Sequence, residues 1–408
     1  MIVMKNTTRT KRSFAAFTRL TIVSLLTAAF MLPANAGPRE QAKRIHDRLA
    51  GVPPTDAVLQ QMADVIQTNG TDPLCPPQVT GAACAGHIAM NNVNFYNVTL
   101  KNFAAPWTNE AQSVFVPLND YIATVIGMVR DDEPFNTLLS ADLTYVGRAG
   151  VVSAAPAANS NNHYEQLEAQ GVNLRDDLVA TTQSSVQGIP STATAGVITS
   201  RAAAEAFFIA GTNRAMFRFT LMNHMCNDLE QVHDPALPPD RIRQDVARSP
   251  GGDSRLFLNS CIGCHTGMDP MTQAFAYYDY DEAAGRLTYT DGNVVSKYYN
   301  NDLTFPQGFR TMNDDWDNYW RQGQNRHLGW DPNLTGSGAG AKSLGEELGN
   351  STAFAACQVK KVFRNVCLRE PENAADRSKV DEIVNTFRTT NYRMKQVFAD
   401  TAVYCMGL

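Results

Sequence analysis

The chain has 408 residues with eight cysteines, and its formal net charge at pH 7 is −5. Residues 1–36 contain five basic and no acidic residues, so the other 372 hold 30 basic and 40 acidic residues, a net charge of −10. This acidic surplus argues against nucleic acid or anionic lipid as a partner, and the length suggests two or three domains with sizeable cores.

Residues 1–36 have the pattern of a secretory signal peptide. A basic start is followed by the apolar stretch Thr21–Leu32 and by a small-x-small sequence at 34–36. These parts predict cleavage before Gly37 and a periplasmic or secreted protein. The apolar stretch is too short to span a bilayer comfortably, and no later segment is apolar for long enough. We therefore expect no integral membrane segment after cleavage.

Residues 37–149 are predicted to form an N-terminal helical domain. The candidate helices are Arg39–Leu49, a second helix capped by Thr55, Phe95–Phe103 and Leu118–Val129. Residues 150–196 contain two small, polar stretches with Pro and Gly on either side of a short helix near Tyr164–Gln170. This composition predicts a linker or loop region over 150–196.

Residues 197–340 open with a long helical region that Ser200 can cap and that breaks near Gly211. Further predicted elements are a helix over Met271–Tyr278, a hairpin within Arg286–Val295 turning at Asp291-Gly292, a short aromatic helix over Asp314–Trp320 and a glycine-rich hinge at 336–340. These elements surround the most specific motif of the chain.

That motif is Cys261-Ile262-Gly263-Cys264-His265, the C-x-x-C-H pattern of covalent c-type haem attachment. Two thiols three positions apart can each form a thioether to one haem vinyl group, and His265 then supplies the proximal imidazole to the iron. Other interpretations are a zinc half-site, a reducible dithiol and a plain disulfide. A zinc site needs a second ligand pair and a thioredoxin-like motif needs a βαβ context, and the sequence has neither. We predict one covalent haem c at Cys261, Cys264 and His265.

Residues 341–408 give the clearest local prediction, three helices joined by short loops. The helices are expected over Ser351–Cys367, Asp376–Phe387 and Asn391–Tyr404. An up-down-up arrangement places the ends of the first and third helices on the same side.

The six cysteines outside the motif are an even number, as expected in an oxidising compartment. Cys75 and Cys84 lie in one Pro/Gly-rich loop and are predicted to pair locally. The other four allow three connectivities. The three-helix arrangement favours Cys367–Cys405, which leaves Cys226–Cys357 by elimination.

The predicted fold class is mainly α, with little β structure. We expect a signal peptide over 1–36, an N-terminal helical domain over 37–149, a linker over 150–196, a haem c domain over 197–340 and a C-terminal helical domain over 341–408.

Four stretches, in chain order, carry a resemblance to a known family. They are Gly196–Ser200, Gly211–Arg214, Leu221–Cys226 and the haem motif continuing through Met268-Asp269-Pro270 to Asp279. This series resembles the haem-bearing domains of planctomycete-type cytochrome proteins, and the helices at both ends are similar to the domains that flank them. The resemblance implies an exported monohaem architecture over most of the mature chain. It implies no particular reaction, because that family is largely uncharacterised.

The sixth ligand of the iron decides the function, and the sequence leaves it open. A Met thioether gives an electron carrier of high potential, a second His gives a lower potential, and an open position allows small ligands to bind. Met312 lies 47 residues after His265, a separation that resembles that of small soluble cytochromes c, and is our candidate distal ligand. The alternatives are Met222, His224, Met225 and His327.

Other residues are assigned supporting roles. The second ring nitrogen of His265 should be held by a carbonyl or a carboxylate. Asp269 is predicted to cap the helix that follows it, with Pro270 at the first helical position. Candidates for the haem wall are Trp316, Trp320, Trp330, Tyr277 and Tyr278, and candidates for binding the propionates are Arg286 and Arg310.

Three functions compete. The first is a periplasmic electron-transfer protein with a redox partner protein. The second is a structural or partner-binding haem subunit, because 372 residues is large for a one-haem carrier. The third is a peroxidase- or oxidase-like enzyme with an open distal site and an acid–base residue such as His224, Glu205 or Arg214. We predict an electron carrier rather than a catalyst.

Overall fold

A computed structural model describes residues 36–209, 211–299 and 305–407. The predicted leader lies outside these residues except for its last position. The α-helices of the described residues are α1 (Pro38–Ala50), α2 (Asp56–Thr68), α3 (Gly81–Met90), α4 (Lys101–Ala104), α5 (Asp120–Asp131), α6 (Asn162–Ala169), α7 (Leu174–Asp177), α8 (Gln183–Gln187), α9 (Arg201–Phe207), α10 (Arg214–Met225), α11 (Ser254–Leu256), α12 (Ile262–Thr272), α13 (Gly340–Gly349), α14 (Thr352–Cys367), α15 (Ala374–Thr389) and α16 (Met394–Cys405).

Two π-helical segments and eight short 3₁₀ segments complete the described helical structure. The π-helices are Phe95–Leu100 and Phe257–Cys261. The 3₁₀ segments are Ala105–Thr108, Phe135–Leu139, Gly196–Thr199, Pro250–Gly252, Gln273–Phe275, Ser296–Tyr299, Tyr319–Arg321 and Gly323–Leu328.

The strands of the described residues form three separate two-stranded antiparallel sheets. They are β1 (Thr144–Gly147) with β2 (Leu178–Thr181), β3 (Tyr278–Asp281) with β4 (Arg286–Tyr289), and β5 (Asp315–Asp317) with β6 (Ser337–Ala339). The predicted class, mainly α with little β, is therefore confirmed.

Several helices begin where the sequence places a capping side chain. The hydroxyl of Thr55 accepts a hydrogen bond from the backbone N–H of Val58, and the hydroxyl of Ser200 accepts one from that of Ala203. Ser351 caps α14 in the same way. These side chains satisfy backbone donors that have no partner inside the helix, which fixes where each helix starts.

Helices from the two ends of the described chain pack together. Gly86 in α3 lies so close to α16 that a Cβ atom at that position would be 3.0 Å from the Cβ atom of Ala399. Arg44 and Arg48 in α1 donate to the backbone carbonyls of Met406 and Val366. The predicted N-terminal and C-terminal segments therefore share one hydrophobic core. The domain boundaries themselves stay a prediction.

All three predicted disulfides are present. Cys75 pairs with Cys84, Cys226 with Cys357 and Cys367 with Cys405, with Cα–Cα distances of 5.3, 5.2 and 5.5 Å. The second of them connects the end of α10 to the middle of α14, and so ties the segment before the haem motif to the C-terminal helices.

Several short-range predictions between 178 and 340 are wrong. The hairpin forms between β3 and β4, with its turn at 282–285 rather than at Asp291-Gly292. The predicted aromatic helix contains β5, and the predicted glycine hinge contains β6, its pairing partner. Gln183 and Gln187, in the predicted linker, are buried in α8. The hairpin turn was placed too late in the chain, whereas β5, β6 and α8 depend on pairing or burial by segments further away, which a local pattern does not contain.

In the part of the chain that the structure describes, each helix is too short or too polar to cross a lipid bilayer.

Candidate haem attachment site

The C-x-x-C-H motif lies where a π-helical segment passes into a regular α-helix. The π-helix Phe257–Cys261 follows α11 directly and continues into α12. At 100° per residue, the side chains of Cys261, Cys264 and His265 project from one side of this helix. Both thiols are half-buried, and of the eight cysteines, all of them described, these two are the ones left free.

The opposite side of the motif helix is packed tightly against the protein through two glycines. A Cβ atom on Gly263 would lie 2.1 Å from Nε2 of His233, and one on Gly267 would lie 1.9 Å from Nε1 of Trp320. Only a residue without a side chain allows these rings to approach the helix backbone. The glycines therefore dock one face of the helix and leave the cysteine and histidine face outward.

One ring nitrogen of His265 is held by a buried carboxylate. Its Nδ1 lies 3.0 Å from Oδ1 of Asp269, one helical turn further along α12. Burial alone would raise the pKa of Asp269, but the nearby Arg214 and His265 outweigh it and hold that pKa well below its usual range. An ionised carboxylate only accepts hydrogen bonds, so Nδ1 carries a proton, and Nε2 is the nitrogen that the neutral ring can offer to a metal.

Asp269 belongs to a buried network of two arginines and two aspartates. Arg214 donates to both carboxylate oxygens of Asp269, at 2.7 and 2.9 Å, and to both of Asp245, at 2.5 and 2.9 Å. The backbone N–H of Arg243 also donates to Asp269, at 3.2 Å, and its guanidinium donates to Thr212. The formal charges of the four ionised side chains cancel, which makes burial of the group tolerable.

The predicted capping role of Asp269 is wrong. Asp269 and Pro270 both lie inside α12, so the helix does not begin there. The missed signal was the spacing: residues four apart on a helix are neighbours, so His265 and Asp269 face each other as soon as 262–272 is helical.

The structure discriminates among the other interpretations of the motif. A disulfide between Cys261 and Cys264 is absent, since both thiols are free. Burial, reinforced by Glu230 and Asp228, raises the pKa of the Cys264 thiol, so Cys264 is not activated as a nucleophile. A zinc site needs several ligands, and the described residues contain no group of three or more His, Cys, Asp or Glu side chains placed to hold an ion. Haem iron takes four ligands from its macrocycle and does not need such a group.

The surroundings of the motif are apolar and partly open. Leu256 and Leu258 are 49% and 57% exposed, although large aliphatic side chains are normally buried. Cys261 and Ile262 border a small hydrophobic cluster that includes Phe257. Two free thiols, an imidazole with a free Nε2 and adjacent exposed leucines fit a covalently attached porphyrin at the protein surface.

The candidate distal ligands differ in how accessible they are. Met312 is 67% exposed on the loop before β5. The same loop runs beside the network of two arginines and two aspartates, because the backbone of Phe309 bonds to those of Ile242 and Gln244 on either side of Arg243. Met222 is half-buried beside the cavity described below, and His327 is exposed, with its Nδ1 near the carbonyl of Gln324.

His224 and Met225 are enclosed in the core and do not present a ligand atom at the surface. Nε2 of His224 lies 2.6 Å from the hydroxyl of Tyr121, and its ring is packed among those of Tyr121, Trp107 and Phe354. Burial, with a smaller effect of Lys361, lowers the pKa of His224 well below its usual range. It is a neutral core histidine.

The proposed acid–base residues are also engaged elsewhere. Arg214 holds Asp269 and Asp245, and Glu205 pairs with Arg201. His224 is buried, whereas Glu205 is exposed and lines a cavity that the motif residues do not line.

Four of the five predicted haem-wall residues are already buried against protein side chains. These four are Trp316, Trp320, Tyr277 and Tyr278, and Trp330 is half-buried. Arg310 lies over the ring of Tyr299, and Arg286 is exposed on β4. The structure brings none of these residues to the exposed face of the motif helix.

Two cavities are lined by residues other than Cys261, Cys264 and His265, and the lining of the first includes Asp228, which is close enough to Cys264 to raise the pKa of its thiol. One, of about 680 Å³, is lined by Trp107, Met222, Asn223 and Lys361 among others, and another, of about 570 Å³, by Arg201, Glu205 and Tyr280 among others. Both motif thiols are half-buried and lie outside the linings of these two cavities.

Comparisons of the chain with protein-family models, with curated proteins and with solved structures found no match.

Proposed function

We propose that this chain is an exported monohaem c-type cytochrome that transfers electrons in the periplasm. The observation that carries the proposal is the pairing state of the cysteines. Six are joined in disulfides, and the two of the C-x-x-C-H motif stay free on one side of a helix, next to a histidine whose Nε2 is available.

In this proposal Cys261 and Cys264 hold the haem through thioethers and Nε2 of His265 is the proximal ligand. A bound haem supplies a one-electron redox couple between ferric and ferrous iron. The chain itself fixes the spacing of the two sulfur atoms, orients the imidazole through Asp269 and places the site at the surface. Met312 remains the candidate for the distal position.

The surface position suits electron exchange with another protein. An electron carrier needs a redox centre that a partner can approach, and the motif face carries half-buried thiols and exposed leucines instead of lying in a deep cavity. The net charge of −10 after removal of the leader favours a partner with a basic surface. Three disulfides are compatible with an oxidising compartment.

The test is to produce the full chain, with its leader, in a periplasm that contains c-type haem maturation proteins. We expect the purified protein to give a c-type pyridine haemochrome spectrum and the added mass of one haem. Cys261→Ser combined with Cys264→Ser should abolish covalent haem. The matched control, Cys75→Ser with Cys84→Ser, also removes two cysteines but should retain it.

A chain without added haem mass and with both motif thiols open to alkylation would overturn the proposal. Attached haem that a small redox mediator neither reduces nor reoxidises would instead indicate the structural subunit. A high-spin spectrum that changes with cyanide and turns over peroxide would indicate the enzyme.

A further inference from the structure

The hydrogen bond between His265 and Asp269 has an electrostatic consequence for the haem. Asp269 is fully buried and His265 is only 19% exposed, so little water screens the interaction between them. A carboxylate that accepts the Nδ1 proton of a ligating histidine makes the imidazole more basic, and increases the electron density that Nε2 gives to a metal.

The surrounding network keeps Asp269 charged and fixed in place. Two N–H groups of Arg214 and the backbone N–H of Arg243 donate to the oxygens of Asp269. The ring of His265 therefore donates to a carboxylate that is ionised and held in place. Arg214 shares its charge between Asp269 and Asp245. How far Arg214 neutralises Asp269 therefore depends on Asp245.

We propose, on the basis of the function proposed above, that Asp269 is the positioning residue that sets the reduction potential of the haem. By fixing the ring of His265 and giving it partial imidazolate character, Asp269 stabilises ferric over ferrous iron. Arg214 partly neutralises the charge of Asp269, and Asp245 limits this neutralisation because it binds the same guanidinium. The two residues thereby set the size of the effect. A backbone carbonyl in the same position would orient the ring but would carry no net charge.

The redox step is the transfer of one electron from a donor protein to ferric haem and from ferrous haem to an acceptor protein. No bond to His265 is made or broken, and its Nδ1 proton stays in the hydrogen bond in both states. The added electron is less stable next to a ligand with negative character, so the carboxylate lowers the potential of the couple.

The test compares the midpoint potentials of the holoproteins by spectroelectrochemistry, after haem attachment has been verified. Asp269→Asn nearly keeps the shape of the side chain and removes its charge. We expect it to raise the ferrous-to-ferric ratio at a fixed applied potential at least tenfold, which is a shift of about 59 mV for a one-electron couple. The matched control is Asp245→Asn, which takes the same charge from the same arginine without touching His265, and should give a clearly smaller rise.

Equal potentials for Asp269→Asn and the wild-type protein, or equal shifts for the two variants, would overturn the inference while leaving the proposed cytochrome function intact. Absence of haem in the wild-type protein would overturn both. A merely structural role for Asp269 would lower the melting temperature without moving the potential.

A second measurement on the wild-type holoprotein covers the case in which Asp269→Asn does not fold. Resonance Raman spectra recorded just after photolysis of the carbon monoxide adduct report the stretch between iron and His265. We expect a frequency raised into the range of histidines bonded to carboxylates. A frequency in the range of histidines bonded to carbonyls would contradict the inference.

Discussion

At the scale of single residues, the motif proposed to bind haem can be recognised from the sequence, whereas the residues that hold His265 could be predicted only in part. Cys261, Cys264 and His265 form a contiguous motif whose chemistry follows from its spacing. The kind of partner for His265 was also predictable, a carbonyl or a carboxylate, because metal-bound histidines need one. That Asp269 fills this position depends on α12 continuing through Pro270, and the roles of Arg214 and Asp245 depend on contacts 24 or more residues away in sequence.

Met312 gives a prediction at this scale. If its thioether is the sixth ligand, the oxidised holoprotein has a weak absorption band near the red end of the spectrum, and Met312→Ala should remove that band. The reason is that alanine has no atom able to bind iron, while an exposed loop residue can change without disturbing the core. Met222→Ala, at a half-buried position on α10, is the control and should keep the band. An unchanged spectrum in Met312→Ala rejects this assignment.

At the scale of elements, long amphipathic helices with capping side chains were predicted well. Thr55, Ser200 and Ser351 each begin a helix where the sequence places them. Short strands were not predicted well: β5 and β6 form because 315–317 and 337–339 pair with each other. A strand of three residues carries too little periodicity to be recognised, so its existence is decided by its partner.

The start of α15 gives a pH-dependent prediction. Asn373 and Asp376 form a capping box there, and Asp376 also accepts hydrogen bonds from Arg369 and from the hydroxyl of Tyr404 in α16. The bonds from Arg369, then those from Tyr404, hold the pKa of Asp376 well below its usual value. A carboxyl with a lowered folded-state pKa contributes stability above its unfolded pKa, about 3.9, and this contribution disappears as the pH falls further.

We therefore expect Asp376→Asn to have a lower melting temperature than the wild type at pH 7. At pH 3 the two melting temperatures should lie closer together. Thermal melts followed by circular dichroism at the two pH values provide the measurement. Asp381→Asn, an exposed position on the same helix, is the control and should change little at either pH. A gap between Asp376→Asn and wild type that is the same at pH 3 and pH 7 would contradict this account.

At the scale of the whole molecule, helices from the two ends of the described chain pack against each other. Helices α1 and α3 pack against α16, and the disulfide Cys226–Cys357 connects α10 to α14 across a separation of 131 residues. The motif helix α12 packs against α10, and this disulfide ties the end of α10 to α14. The support of the motif helix is thus connected covalently to the C-terminal helices.

The disulfides provide a prediction about stability at this scale. Closing a longer loop removes more entropy from the unfolded chain, so removing Cys226–Cys357 should cost roughly 5 kcal/mol of unfolding free energy and removing Cys75–Cys84 about 3 kcal/mol. The separations that produce this difference are 131 and 9 residues. Urea denaturation of the two double Cys→Ala variants measures both costs. A larger cost for removing Cys75–Cys84 than for removing Cys226–Cys357 would show that local packing, and not loop entropy, dominates the stabilisation by these disulfides.

The sequence by itself predicted the helical class, several helix starts and the three disulfide pairs that the structure contains, because helical periods, capping residues and the order of the helices can be recognised along the chain. The haem attachment residues stay a prediction. Tertiary structure alone decided that His224 is enclosed in aromatic rings, that Gly263 and Gly267 dock the motif helix, and that Asp269 is charged beneath His265. The physical reason is that burial and electrostatic environment are set by residues far apart in the chain, which come together only when the core forms.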